Sequence, residues 1–395
     1  MNMVDHTSNS IPAIEPAYIA RRRLAVAGHF VRTQRVGGAE QMLYNLLAGF
    51  AAHAIDTELL CGSRSNLSDA FLSSLGDECC VRVLECGGAG VRFVAEQRAC
   101  LEPGLSADAI LFPNYYVPPL VPRRLGRVSV VIHDFQYRHF PEYFSRRKYA
   151  WLRLSQAASI RLADQIIVIS DFVKRDAIRL FGDRYADKIA VVPNALPWDR
   201  FAVGRRRTRP MAEPYILSVA AQYPHKNLET LIRAFAVVAG QVPDVQLVLC
   251  GQKYDGLSGV MGRASGISTL IRELELTQRI HLTGFVDDAA LGQWYSHAEM
   301  FAFPSIFEGF GMPPVEALSF GLPTLTTSTT ALPEVTLGLA HTVENPLDAN
   351  EWASAIRTIL REPSRYRPLD ADVTRLRSTY HPTRIAAGYA SAMFQ

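Results

Sequence analysis

Short apolar runs alternate with amphipathic stretches along most of the chain, the pattern of successive βαβ units. Buried strands are expected at 24–27, 57–61, 81–84, 110–112, 128–132, 165–169 and 189–192, runs too short for helices and apolar enough to be covered on both faces. Helices fall between them. The clearest covers 39–50, where Leu43, Leu46, Leu47 and Phe50 recur at i, i+3, i+4 and i+7. Another is expected over 171–181 behind Ser170, a hydroxyl suited to an N-cap. Residues 193–214 break the rhythm with prolines, the run Arg205, Arg206, Arg207 and no apolar periodicity, and read as a linker. A second block then places strands at 215–219, 245–250, 280–282, 300–303 and 324–326. Its best helix is 228–238, with Asn227 as the cap and Leu228, Leu231, Ile232 and Phe235 on one face.

The fold class implied is α/β: two doubly wound, Rossmann-like domains facing a cleft, with ligands expected at the carboxyl ends of the strands. A length of 395 residues suits two domains better than one. With 48% hydrophobic and 20% charged residues, the composition excludes a disordered or heavily charged chain. Residues 1–23 read as a loose polar tail. No run approaches the roughly 18 apolar residues of a membrane-spanning helix, and the N-terminus lacks a charged-then-apolar leader, so a cytoplasmic location is expected. Six cysteines (Cys61, Cys79, Cys80, Cys86, Cys100, Cys250) contain no C-x-x-C pair and are expected to be reduced structural thiols.

A net charge of +3 is too even to point to nucleic acid. Its distribution is not even. Between Val121 and Leu162 stand nine basic residues (Arg123, Arg124, Arg127, Arg138, Arg146, Arg147, Lys148, Arg153, Arg161) and two acidic ones (Asp134, Glu142). Such a segment is either a solvated helix face or a surface for an anionic membrane or acceptor.

Candidate chemistry concentrates in Phe303 to Glu316, FPSIFEGFGMPPVE. A strand ends, Gly309 and Gly311 loosen the backbone, and Pro313 with Pro314 preset a helix start. Amides of Phe310, Gly311 and Met312 could hold a phosphate there. Glu308 precedes this nest and Glu316 follows it, in the first helical turn, so the two carboxylates could flank one ligand; acidic residues also favour helix starts for the dipole alone. Lys226, in YILSVAAQYPHKN, stands between a strand and a helix, where its ammonium could neutralise a diphosphate or be an ordinary surface lysine. In the first half, Gly37 and Gly38 open a helix, and His133 follows the strand VSVVI at the end where site residues of such sheets collect. No G-x-G-x-x-G follows the first strand, which argues against a dinucleotide oxidoreductase.

In this order the segments GGAEQMLYNL, HDFQYRHFPEYFS, VISDFVKRD, VVPNA, PHKN, LTGFV, PSIFEGFGMPPVEAL and LPEV resemble the retaining nucleotide-sugar glycosyltransferases of family 4, which have the GT-B fold. The resemblance covers nearly the whole chain. It implies an acceptor-side domain at 24–200, a nucleotide-sugar domain at 201–380, and a last helix at 381–395 that packs back on the first domain. It also implies roles. Glu308 and Glu316 match the family's glutamate pair, on the donor sugar and the ribose. Lys226 matches the base on the diphosphate, with Gly309, Phe310 and Gly311 supplying amides. His133 would reach the transferred sugar, Gly38 belongs to the glycine loop near donor and acceptor, and Gly284 and Val286 line the nucleobase.

One position departs from the family. Many members carry an arginine shortly before the lysine, whereas this chain reads Ala220, Ala221, Gln222, Tyr223, Pro224, His225; either Lys226 with helix amides suffices, or Arg175 or another basic residue substitutes. The implied activity is retaining transfer of a hexose, mannose from GDP-mannose first, to a hydroxyl of a growing and lipid-linked surface glycan. No cofactor is expected, and no metal either, because no D-x-D cluster offers a metal site and a lysine with a helix terminus can hold the diphosphate charge instead. Rhamnose from dTDP or GDP and UDP-sugars are the alternative donors. An epimerase or phosphorylase of this fold, or a nucleotide-binding scaffold, are the rival classes. The cytoplasmic face of the membrane is the expected place of work.

Overall fold

The computed structural model describes residues 22–31, 38–62, 75, 79–83, 92–202, 209–252 and 266–395. Gly37, Cys86, the Arg205 to Arg207 run and the tail as far as 21 lie outside the described residues. The strands are β1 (Arg23–Ala27), β2 (Asp56–Cys61), β3 (Cys79–Val83), β4 (Ala109–Phe112), β5 (Arg127–Ile132), β6 (Gln165–Val168), β7 (Ile189–Val191), β8 (Tyr215–Val219), β9 (Gln246–Cys250), β10 (Ile280–Gly284), β11 (Met300–Ala302), β12 (Thr324–Thr327) and β13 (His341–Val343). They form two parallel sheets, ordered β3-β2-β1-β4-β5-β6-β7 and β10-β9-β8-β11-β12-β13. The expected doubly wound α/β architecture is therefore present twice.

Each strand foreseen from the apolar runs is found, within two residues among those described. β13 was not foreseen: three residues, with His341 and Thr342 exposed and Val343 alone buried, carry too little apolar signal. The second sheet shows why the other runs are nearly continuous. Ile216, Leu247, Leu249, Met300 and Ala302 point into one core with Leu231, Phe235, Trp352 and Ile356. Their neighbours Tyr215, Leu217, Val248, Cys250, Phe301 and Phe303 point into a second core with Leu291, Tyr295, Ala317 and Leu332. A strand with period-two side chains and a core on either side has no polar face to show.

The chain divides into two compact units. One holds the chain through Phe135 with Ala150–Leu196 and Tyr380–Gln395; the other holds Gln136–Tyr149 and Pro197–Thr379. Gln136–Tyr149 thus leaves the first half of the sequence for the second unit. The reason is aromatic: His139 and Phe140 pack on Phe307 at ring-centroid distances of 4.9 and 5.7 Å. In the first unit the final helix, Pro382–Phe394, lies on the helix Gly38–Ala52. There a Cβ on Gly49 would stand 2.5 Å from the Pro382 carbonyl oxygen and 2.7 Å from Ala386 Cβ, so only glycine permits the approach. Asn45, buried in the same contact, donates to the Ala195 carbonyl at 2.7 Å.

Two cap assignments can be compared with the structure. Ser170 accepts from the Val173 amide at the start of the helix Asp171–Phe181, as foreseen. Asn227 does not cap the helix Leu228–Ala239. It sits in the left-handed region at φ 52°, and its side chain donates to Pro304 and Pro346 carbonyls at 3.2 and 2.8 Å, tying two strand-end loops together. The five described cysteines are free thiols. Among the described residues no helix is long and apolar enough to cross a membrane.

Candidate functional site

In a doubly wound sheet the crevice for a ligand opens where strand order reverses, because the loops leaving the two strands there diverge. In the second sheet that point lies between β8 and β11. Lys226 follows β8 and Glu308 follows β11, and Lys226 Nζ lies 2.5 Å from Glu308 Oε1. The side chains are 17% and 11% exposed, and the ammonium also stands 5.3 Å from the centre of the Phe303 ring. Both residues were candidates from sequence. Their pairing was not.

Lys226 ends the short turn Pro224–Lys226, which Ile306 and Ser305 hold from the other side: the Ile306 amide and Ser305 Oγ both donate to the His225 carbonyl, at 2.9 and 3.2 Å. Tyr223 stacks on the His225 ring at 5.8 Å. Burial and the adjacent Lys226 charge keep that imidazole well below its ordinary pKa. So the stretch without the family's arginine shapes the turn that presents Lys226. Arg175, considered as a substitute, is exposed on the helix Asp171–Phe181 of the first unit.

The loop carrying Glu308 is fixed by hydroxyls that sequence reasoning did not single out. Thr326 Oγ1 donates to the Phe303 carbonyl at 3.1 Å and Thr327 Oγ1 to that of Ser305 at 2.8 Å. Thr330 Oγ1 accepts from the Glu308 amide at 3.1 Å, and the Ala331 amide donates to the Glu308 carbonyl at 3.4 Å. Thr330 does this at φ 57°, a costly conformation for a β-branched residue. The run TLTTSTT was the available signal: six hydroxyls in a buried strand and its exit need partners, and the neighbouring loop supplies several of them.

Downstream, Gly311 takes φ 93° at the N-cap of the helix Met312–Ser319, and a Cβ there would lie 2.6 Å from Leu332 Cδ2. This contact explains the leucine of LPEV. The first-turn amides of a helix have no intrahelical acceptor, and Pro313 and Pro314 have no N–H, so Met312 is left as the donor of that turn. Gly309, Phe310 and Gly311 are buried and Met312 is half-buried. Glu316 is not in the first turn. It is the fifth residue of the helix, 3% exposed, and its Oε2 accepts from Tyr295 Oη at 2.8 Å, so it faces inward beside a tyrosine that the sequence did not nominate.

Gly284 ends β10 at φ 71°, and its carbonyl accepts from the Gly251 amide at 2.9 Å across the strand ends; Val286 packs on the second core. In the first unit, His133 follows β5 and is 9% exposed. Its Nε2–H donates to the Pro113 carbonyl at 2.9 Å, which leaves Nδ1 as the acceptor of the neutral ring. Burial lowers its pKa, against the raising effects of that carbonyl and of Asp134. The Tyr115 ring meets it edge-on at 5.1 Å, and Tyr115 Oη donates to Asp134 at 3.1 Å. Gly38 is exposed at the first position of its helix.

Two family profiles match the chain in succession: "Glycosyltransferase Family 4" over residues 36–200 and "Glycosyl transferases group 1" over 202–373. The O-antigen chain mannosyltransferase B of Escherichia coli is 28% identical over 260 residues, 64% of this chain and 65% of that protein. The O-antigen chain mannosyltransferase RfbU of Salmonella typhimurium is 27% identical over 239 residues, 60% of this chain and 62% of that protein. The match thus spans just under two thirds of either relative. Among solved structures, a sucrose-phosphate synthase of Thermosynechococcus elongatus aligns with a TM-score of 0.73 at 20% identity, over 93% of this chain and 96% of that one.

Proposed function

The chain belongs to the group 1 and family 4 glycosyltransferases, with the GT-B fold, and from that premise we propose that it transfers a hexose from a nucleoside diphosphate sugar to a hydroxyl of a growing surface glycan. The observation that carries this reading is the Lys226–Glu308 pair at the switch point of the second sheet. A diphosphate arriving there competes with Glu308 for the ammonium, and with the helix amide of Met312 it takes up the charge. Glu308, released, accepts hydrogen bonds from donor-sugar hydroxyls. Glu316 is assigned to the ribose, which requires its carboxylate to exchange Tyr295 for a ribose hydroxyl. Gly284 and Val286 are assigned to the base, and His133 and Gly38 to the transferred sugar and the glycine loop.

The reaction proposed is departure of the diphosphate and entry of the acceptor hydroxyl on the same face, with retention. A leaving phosphate oxygen takes the acceptor proton, so no protein nucleophile is needed. Lys226 and loop amides take the place a divalent ion fills elsewhere. Mannose from GDP-mannose is the donor we favour, supported by the two O-antigen mannosyltransferase relatives. The same relatives and the basic 121–162 segment support a lipid-linked acceptor at the inner face of a membrane. A thermal-shift panel of GDP, dTDP and UDP with their sugars tests the donor, since selective binding stabilises the fold by mass action. GDP and GDP-mannose should raise the midpoint most. Product with inverted anomeric configuration, or activity abolished by a chelator, would overturn the mechanism, and donor isomerisation without acceptor product would point to an epimerase.

A further inference from the structure

A helix on the surface of an α/β unit is expected to turn its apolar stripe inward. The helix Arg146–Leu162 does the reverse. Gln156 and Ser159 are buried with Ile160, while Trp151, Leu154, Ala158 and Leu162, spaced three, four and four residues apart, lie on the outer face. Leu154 is 72% exposed. The burial of polar groups is real, since Ser159 Oγ accepts from the Val117 amide at 2.9 Å and donates to the Ser155 carbonyl at 2.8 Å.

The stripe continues beyond the helix within the first unit. Trp151 packs on Phe93 at 4.6 Å and lies 6.3 Å from the Tyr116 ring, while Phe93 and Tyr116 meet at 4.7 Å. Phe93 belongs to the helix Arg92–Leu101, whose outer face carries Val94 and Leu101, both nearly half exposed. The side chain of Gln97, on that face, holds both backbone groups of Leu120, which is 62% exposed. Three segments thus bring exposed apolar side chains to one aromatic cluster.

Charge selects the occupant. The helix Arg146–Leu162 holds five basic residues and no acidic one, and Arg153 and Arg161 are exposed beside the stripe. An apolar stripe on a helix whose charged residues are all cations suits an anionic bilayer, which receives the apolar groups below its headgroups and pairs the arginines with phosphates. We propose that this face, centred on Trp151 and Leu154, seats the protein on an anionic lipid surface. The proposal extends the reading of a lipid-linked acceptor, but vesicle binding requires neither donor nor acceptor and so tests it separately.

The experiment is flotation of the full chain with phosphatidylcholine vesicles, with and without phosphatidylglycerol. Binding is expected with the anionic vesicles only. Leu154→Ser should weaken it about tenfold by removing a buried leucine, and Arg153→Gln and Arg161→Gln about fivefold each. Because Leu154 is so exposed, its replacement should leave the thermal midpoint and transfer to a water-soluble acceptor unchanged. Binding indifferent to phosphatidylglycerol, or equal in all variants, would overturn the proposal. So would a concentration-dependent dimer that Leu154→Ser dissociates in a chain that binds no vesicle. Vesicle binding with the expected losses, in a chain that transfers no sugar, would leave this proposal standing and remove the transferase reading alone.

Discussion

Lys226 and Glu308 stand 82 positions apart in the chain and meet at 2.5 Å, because each leaves one of the two strands that flank the switch point of the second sheet. Held mostly out of water, each charge depends on the other. Replacing Lys226 with Met strands a carboxylate that is 11% exposed, and Glu308→Gln leaves an ammonium against a neutral amide. Each single variant should lose about 1 to 3 kcal/mol, less than for a fully enclosed pair because some solvent remains, while the double variant should lose less than the sum. Turnover should behave differently: each single variant falls by about a thousandfold, and the double variant does not recover. Denaturant unfolding and steady-state kinetics on the four chains check this, and additive stability losses would show that the contact is not an energetic pair.

Gly311 offers a cleaner test of the phosphate nest. Its φ of 93° and the Leu332 methyl 2.6 Å from any added Cβ impose two separate penalties, whereas Gly321, at φ 73°, faces open space. Gly321→Ala should therefore show the backbone cost alone, about 1 to 2 kcal/mol. Gly311→Ala should lose more, and should also weaken donor binding, since the fully buried Leu332 must give way to the added methyl beside the nest. Equal midpoints for the two variants would mean that Leu332 rotates away freely.

The two sheets were legible because parallel strands covered on both faces leave unbroken apolar runs, and the sheet order then fixed where Lys226 and Glu308 had to emerge. What escaped was set by partners distant in sequence. Gln136–Tyr149 follows a strand of the first unit, yet His139 and Phe140 pack on Phe307 of the second, and no local pattern announces that choice. Asn227 was read as a cap by its residue type and serves instead as a left-handed corner bonded to Pro304 and Pro346. Glu316 was placed in the first turn because Pro313 and Pro314 were read as the helix start, whereas the helix begins at Met312 and the inward position of Glu316 answers to Tyr295.

Thr330 is a positioning residue for Glu308, and its strain makes the role testable. Thr330→Val keeps the β-branch and removes the oxygen that accepts from the Glu308 amide. An unpaired, mostly buried N–H costs about 1 to 3 kcal/mol. If that cost is felt as looseness of the Glu308 loop, kcat should drop about tenfold with KM for the donor little changed, and Thr330→Ser should restore most of it. A loss of thermal stability with kcat untouched would make Thr330 merely structural.

His133 couples the first unit to pH. Burial lowers its pKa, so the folded chain resists a proton that the unfolded chain accepts with an ordinary value near 6.5. Between those two values the unfolded state binds more protons, and stability rises with pH; the contribution is complete above about pH 6.5 and is lost progressively below it. His225, lowered by burial and by Lys226, acts in the same direction. Unfolded carboxylates titrate near pH 4, so a comparison of pH 7.5 with pH 5.5 reports mainly the histidines. The native chain should lose stability over that interval, at no more than about 1.4 kcal/mol per pH unit for each histidine. In His133→Asn the difference between the two conditions should shrink, because asparagine can still donate to the Pro113 carbonyl and carries no titrating group. Denaturant midpoints at both pH values decide the matter: an unchanged difference in the variant would show that His133 titrates normally in the folded chain and that its hydrogen bond to Pro113 offsets its burial.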